Sequence, residues 1–97
     1  MRSAATPHTL VFTASYLRFS TRFLKRHPDI KRQYDKTIAL LELDPHHPSL
    51  RLHRLSGKHD GLHPVSINLS YRLTMEFLLI EREIIPVNVG DHDAVYS

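Results

Sequence analysis

Apolar and polar residues alternate strictly along part of the second half of the chain. From position 65 to position 77 every second residue is apolar, and the residues between them are polar or charged. This period of two is typical of strands that bury one face of a sheet. A single strand of that length would extend for about 43 Å, well beyond the usual strand. The pattern therefore predicts two antiparallel strands joined by a turn near residues 68–70.

The spacing of apolar residues is helical in the first half of the chain. Ser15 is the predicted N-cap of a first helix, and Pro28 is expected to end it near His27 and to begin a second helix over residues 29–43. The two predicted apolar faces consist of Tyr16, Phe19, Phe23 and Leu24, and of Ile30, Tyr34, Ile38 and Leu41. Such stripes indicate core packing, so the two helices are expected to form a hairpin.

Shorter signals complete the predicted order of elements. Thr, Val and Phe residues favour a strand over residues 8–14, and the paired prolines of residues 44–49 are expected to exclude regular structure. Residues 51–55 are a possible strand. A turn at residues 81–83 precedes a strand over 84–89, in which Pro86 indicates an edge or a bulge.

The chain is expected to leave that strand over residues 90–93, and residues 94–96 close the chain. The prediction is an α+β fold of order β-α-α-β-β-β over a single domain, residues 1–97. Its helical hairpin packs on one face of a mostly antiparallel sheet.

Composition narrows the class of protein. The 97 residues contain no cysteine, which excludes a disulfide scaffold, and no apolar run approaches the length of a membrane span. The net charge of +3 conceals two basic segments, residues 15–36 at +5 and residues 51–72 at +3. Basic segments attract polyanions, most often nucleic acid, although such a helix face also serves simply for solubility. We expect a small, soluble, cytoplasmic protein.

Several chemistries find little support in the sequence. The chain lacks a Gly-x-Ser-x-Gly motif, a cysteine nucleophile and a glycine-rich phosphate loop. Eight histidines raise the question of zinc, but no pair is spaced i, i+4 on a predicted helix and no cysteine accompanies them. We therefore expect no metal and no cofactor. The histidines considered for a metal site are His46, His47, His53, His59 and His63; His8 and His27 belong to no motif.

Cations and histidines near the predicted sheet suit RNA cleavage without a metal. The ribose 2′-OH attacks the adjacent phosphorus, so a base, an acid and cations for the developing negative charge are required. Arg72 lies in the polar register of the sheet, where pairing with a residue such as Glu76 is the structural alternative. The other candidates are His53 and Arg54 near the first basic strand, Lys58 and His59 in a glycine-bracketed loop, and His92 and Tyr96 after the last strand.

Four pieces of the sequence, residues 52–58, 61–62, 70–73 and 87–96, resemble the RelE/ParE toxin superfamily in the same order. The resemblance is nearest to its RelE/YafQ-like mRNA interferases. It implies a toxin of a type II toxin–antitoxin pair that cleaves mRNA in the ribosomal A site. The implied partners are mRNA, the ribosome and an antitoxin whose acidic or amphipathic segment covers the basic helices; no membrane is implied.

The resemblance also assigns roles to residues. The catalytic positions it implies are His53, Arg72, His92 and Tyr96. The residues it implies for RNA binding are Arg51, Arg54, Lys58, His59 and His63. Ser66 and Ser70 stand where the YafQ-like branch has a histidine and an aspartate, which leaves the acid–base pair open, with His59 and His63 as candidates to compensate.

Two other functions are compatible with the same fold. A ParE-like toxin would inhibit gyrase by binding, although that branch generally lacks the histidine set to which His53 and His92 belong. A catalytically degenerate relative would only bind an antitoxin or RNA.

Overall fold

A computed structural model describes residues 8–52, 61–78 and 81–91. Two helices pack on a four-stranded sheet in this part of the chain. The elements are β1 (Thr9–Leu10), α1 (Ala14–Arg26), α2 (Lys31–Leu43), β2 (Leu62–Ser66), β3 (Tyr71–Leu78) and β4 (Glu83–Asp91). The predicted α+β class and the pair of helices before the sheet are confirmed. None of the described helices is long and apolar enough to cross a membrane.

The sheet is mixed, with strand order β1-β4-β3-β2. The pairs β2–β3 and β3–β4 are antiparallel as predicted, whereas β1 runs parallel to β4 through Thr9 and Leu10. The strand predicted over residues 8–14 is therefore too long. The strand cannot reach residue 14, because the chain turns into α1 immediately after Thr13.

The N-cap of α1 is Thr13, so the prediction of Ser15 is wrong. The Thr13 backbone is extended, and its Oγ1 accepts a hydrogen bond from the Tyr16 backbone N–H at 3.1 Å. This satisfies one of the amide groups that a helix leaves without an internal partner in its first turn. Ser15 lies inside the helix, exposed to solvent.

The apolar face of α1 is narrower than the sequence pattern suggests. Tyr16, Ser20 and Phe23 are buried, and His27 follows them at the C-cap. Phe19 is at the margin of this face and is 39% exposed, because 100° per residue places it about 60° away from Tyr16. The prediction that Phe19 belongs to the core is therefore wrong.

The strand β4 lies in the interior of the sheet and carries a bulge. Thr74 pairs with Asn88 and Met75 pairs with Pro86, which leaves Val87 as the extra residue. A bulge accommodates the missing N–H of a proline in a strand that is paired on both sides. Of the two predictions for Pro86, an edge or a bulge, the bulge is therefore confirmed. The expectation that Gly90 and Asp91 leave the strand is wrong, since β4 continues through both.

The connection after α2 contains one short ordered turn. Pro48–Leu50 forms a single turn of 3₁₀ helix, with the His47 side chain accepting a hydrogen bond from the Ser49 backbone N–H at 3.2 Å. The prediction of no regular structure over residues 44–49 is thus wrong for Pro48 and Ser49. Arg51 follows in the left-handed region at φ 53°, so no strand begins there. Residues 53–55, the rest of that possible strand, lie outside the described residues.

The core lies between the helices and one face of the sheet. Tyr16 and Tyr34 are buried in it, and their hydroxyl oxygens are 2.8 Å apart, which joins α1 to α2. Burial, above all, raises the pKa of both hydroxyls, so they remain protonated and able to donate at neutral pH. The buried apolar residues that surround them are Phe23, Ile30, Leu41, Leu50, Val65, Ile67, Leu73, Met75, Ile84 and Val89.

Substituting both tyrosines of this pair is expected to cost less stability than the sum of the two single substitutions. In Tyr34→Phe the Tyr16 hydroxyl stays buried without its partner, and we expect the free energy of unfolding to fall by about 1–2 kcal/mol. In the double variant with Tyr16→Phe the loss should be smaller than the sum of the single losses. Urea denaturation of the four proteins measures this coupling. Strictly additive losses would contradict a direct bond between the hydroxyls.

Candidate functional site

Arg72 lies on the sheet face opposite the helices. It is adjacent to Leu73, which is fully buried in the core, and successive residues of a strand point to opposite faces. Its cross-strand neighbours are Ser66 on β2 and Gly90 on β4. Two small neighbours leave the arginine as the largest side chain of this row across the sheet.

Neutral groups hold the Arg72 guanidinium. Its Nη1 donates hydrogen bonds to the carbonyl oxygens of Asn68 at 2.7 Å and Tyr71 at 3.2 Å. Among the described residues Arg72 forms no ion pair with an acidic side chain, so the cross-strand pairing with an acid that the sequence left open is not seen there. A half-buried guanidinium anchored by carbonyls keeps its charge and most of its N–H groups for an anion.

The turn between β2 and β3 is organised by the Asn68 side chain. Its Oδ1 accepts hydrogen bonds from the backbone N–H groups of Ser70 at 2.8 Å and Tyr71 at 2.9 Å. Its Nδ2 donates to Gln33 Oε1 of α2 at 2.9 Å. Because the Asn68 carbonyl also holds Arg72, this turn fixes the arginine relative to both the sheet and the second helix. The prediction of a turn near residues 68–70 is confirmed.

Arg51 approaches the same turn from the other side. It lines an open groove of about 520 Å³ together with Ser66, Asn68 and the exposed Leu69. Of the predicted site residues, Arg51 and Arg72 are thus brought to one turn of the sheet, although the sequence separates them by 21 positions.

His63 is on the other face from Arg72. It pairs with Met75, which is fully buried on the helical side, and it is itself half-buried. The structure therefore does not bring His63 together with Arg72. Six other predicted site residues lie outside the described residues and remain predictions: His53, Arg54, Lys58, His59, His92 and Tyr96.

Aromatic rings form a second feature that the sequence pattern did not single out. The Phe23 and His27 rings are 4.5 Å apart between centroids, and the Tyr71 ring lies 5.3 Å from His27 and 5.7 Å from Phe23. The Tyr71 hydroxyl is 3.2 Å from His27 Nδ1. With the exposed Phe19, these rings line an open depression of about 310 Å³, which we call the aromatic notch.

Charged residues and the end of β4 complete the notch. Arg26 of α1 and Asp91 of β4 also line it, and Asp91 is the cross-strand neighbour of Tyr71. A signal for the helical part was present in the sequence, since positions 19, 23 and 27 form an i, i+4, i+8 row of rings. The contribution of Tyr71 could not be read from the sequence, because it lies 44 positions beyond His27.

No group of three or more histidine, aspartate or glutamate side chains in the described part of the chain could hold a metal ion. The described residues of the site are an arginine, a polar turn and a cluster of rings. Such a surface can bind a phosphate and stack on a base.

Solved structures with the same fold exist, although the sequence itself gives no match. No protein-family model matches the chain, and no curated protein sequence is significantly similar to it. YafQ from Escherichia coli BL21(DE3) superposes with a TM-score of 0.74 at 14% identity, over 93% of this chain and 99% of YafQ.

Two further structures extend this likeness. YafQ in the E. coli DinJ–YafQ toxin–antitoxin complex gives a TM-score of 0.72 at 16% identity, over 94% of this chain and 99% of that one. A YoeB/ParE toxin from Agrobacterium tumefaciens gives 0.65 at 17% identity, over 87% and 98%. The predicted RelE-like fold, which these YafQ structures share, is confirmed.

Proposed function

We propose that this protein, which has the fold of the YafQ and YoeB/ParE toxins, is the toxin of a type II toxin–antitoxin pair. The observation that carries this proposal is the likeness over nearly the whole length of both chains, including a YafQ chain solved with its antitoxin DinJ. At 14–17% identity the likeness is one of fold, so the activity must be argued from residues of this chain.

The activity that the Arg72 surface supports best is endoribonuclease cleavage of mRNA on the ribosome. Arg72 offers a guanidinium held by two carbonyls, and a planar fork of N–H donors matches the oxygens of a phosphate. Charge that is fixed before the substrate arrives is most effective where negative charge develops during the reaction. Arg51, at the same turn, adds a second cation for the RNA backbone.

The proposed reaction is an internal transfer at phosphorus. The 2′-oxygen loses its proton to a base and attacks the adjacent phosphorus, while the bond to the 5′-oxygen breaks and that oxygen receives a proton from an acid. The products are a 2′,3′-cyclic phosphate and a 5′-hydroxyl. His53 and His92 are the proposed proton-transfer groups, with Tyr96 beside them in the proposed site. Histidine suits both roles because its ordinary pKa is near neutrality.

The helical pair supports an acidic antitoxin as the partner. Arg18, Arg22 and Lys25 are exposed along α1, next to the exposed apolar Leu17. An acidic, amphipathic segment would match both the charge and the apolar strip of this surface. Salt would weaken such a complex to the extent that charge dominates it.

Cleavage of a defined mRNA on purified ribosomes tests the activity. We expect a cut within the A-site codon, ending in a 5′-hydroxyl and a cyclic phosphate, and no cut at that position when the scissile nucleotide carries 2′-deoxyribose. Primer extension locates the cut, and the 2′-deoxy mRNA is the matched control because it removes only the nucleophile. If the mRNA with ribose at every position stays intact on ribosomes after incubation with the purified protein, the proposal is contradicted.

The alternatives give different results in the same set of assays. A gyrase inhibitor would leave the mRNA intact and inhibit supercoiling of plasmid DNA by purified gyrase. A degenerate relative would do neither, and its expression without an antitoxin would not slow growth.

A further inference from the structure

We propose that the aromatic notch is a nucleobase subsite for single-stranded RNA. The inference rests on the proposed function for the nature of the ligand, whereas the site itself is defined by rings and charges on the described surface. It assigns a role to Phe19, Arg26, His27 and Tyr71. None of these four residues was predicted to be catalytic or to bind RNA.

The rings leave room for one more ring. Phe23 and His27 are tilted by 34°, and Tyr71 meets Phe23 nearly edge-on at 70°. Such edge and tilted contacts are the favourable arrangements of aromatic pairs. Phe19, one helical turn before Phe23, is 39% exposed and opens the row to solvent. The volume of about 310 Å³ is at the lower end of the range of small-ligand sites.

The orientation of the rings is fixed before any ligand binds. The Tyr71 hydroxyl and His27 Nδ1 are within hydrogen-bonding distance, at 3.2 Å, which ties the end of α1 to the beginning of β3. The His27 backbone N–H also donates to the carbonyls of Phe23 and Leu24, which closes the helix. A rigid platform loses little conformational entropy on binding, and stacking on such platforms is a common way of holding unpaired bases.

Charge and position favour RNA over an apolar peptide as the occupant. Arg26 provides a cation for the phosphate of a stacked nucleotide, and the Asp91 carboxylate, which lines the same notch, can accept a hydrogen bond from a base N–H group. Tyr71 directly precedes Arg72, and Gly90, which lines the notch, is the cross-strand neighbour of Arg72. The notch and the proposed phosphate site therefore lie at the same end of β3 and β4, on opposite faces. An RNA strand that passes over this end can place a phosphate at Arg72 and a base in the notch.

Binding of a single-stranded hexaribonucleotide, followed by NMR, tests the subsite apart from catalysis. We expect the ring resonances of Phe19, His27 and Tyr71 to shift on titration. We also expect Phe19→Ala to weaken binding about tenfold, as the loss of one stacking contact does. Phe19→Trp should restore the affinity because it restores a stacking face. Leu43→Ala is the matched control, because Leu43 is an exposed apolar residue at the end of α2, outside the notch, and it should leave the affinity unchanged.

The outcomes separate this inference from the proposed function. If ribosome-bound mRNA is cleaved but Phe19→Ala binds the hexamer as the wild type does, the subsite is refuted and the endoribonuclease proposal stands. If mRNA is not cleaved but the hexamer shifts the notch resonances and Phe19→Ala weakens binding, the subsite is supported and the endoribonuclease proposal is refuted. If Phe19→Ala weakens only antitoxin binding, the notch belongs to the protein partner and the inference is wrong.

Discussion

Replacing Arg72 with alanine is expected to lower the rate of mRNA cleavage on ribosomes by at least about a hundredfold. Removing one preorganised donor to a developing oxyanion typically has an effect of this size. Arg72 is anchored by the carbonyls of Asn68 and Tyr71. Arg72→Lys should recover only part of the rate, because an ammonium group keeps the charge but not the fork of donors. Single-turnover cleavage of a defined mRNA measures both variants.

Two controls show whether this loss is specific to the site. Arg32→Ala removes an exposed arginine of α2 and should leave the rate unchanged, so a similar loss there would indicate a general effect of charge. Thermal unfolding of Arg72→Ala should show only a modest loss of stability, on the order of 1 kcal/mol for its hydrogen bonds. Wild-type cleavage by a folded Arg72→Ala protein would refute the role of this residue.

Replacing Asn68 with alanine is expected to lower the free energy of unfolding by about 2–3 kcal/mol. The substitution removes two hydrogen bonds to the turn backbone, at Ser70 and Tyr71, and one to Gln33. Asn68→Asp keeps the oxygen that accepts from the backbone and loses the donor to Gln33, so its loss should be smaller. Urea denaturation measures the series.

The control for this series is Ser70→Ala. Ser70 is exposed in the same turn and contributes its backbone N–H, which alanine retains. Its free energy of unfolding should stay within about 0.5 kcal/mol of the wild type. Equal losses in the alanine variants of Asn68 and Ser70 would show that the Asn68 side chain does not organise the turn.

The parts of the fold that were predicted correctly are those with a repeated pattern. Alternation over residues 65–77 gave β2, β3 and their turn, and helical spacing with Pro28 gave the two helices. Single positions were less predictable. Thr13 and Ser15 are both good caps, and the choice between them depends on where the chain leaves β1. β1 itself is fixed by its pairing with residues 83 and 84, far away in the sequence.

Candidate site residues could be proposed from the sequence only where one residue type carries the signal. Arg72 was proposed from its polar register and the family resemblance, and the structure adds that carbonyls hold it. The anchoring by Asn68 depends on the conformation of a turn, and the meeting of His27 with Tyr71 depends on how α1 packs on the sheet. Neither of these contacts can be predicted from the spacing of residues along the chain. His63 shows the converse, because its residue type suggested RNA binding while its register places it on the helical side.

The parallel pairing of β1 with β4 has a consequence for how the protein folds. Thr9 pairs with Glu83, so the first strand cannot join the sheet until a chain segment 74 residues away has been made (83 − 9 = 74). Contacts of such long separation carry a large loop-closure entropy and slow the folding reaction. The helices can form early from local contacts, but the complete sheet requires residues 83 and 84 to have left the ribosome that is making the chain. Synthesis and folding are therefore ordered in time, and the sheet is completed only after β4 has been made.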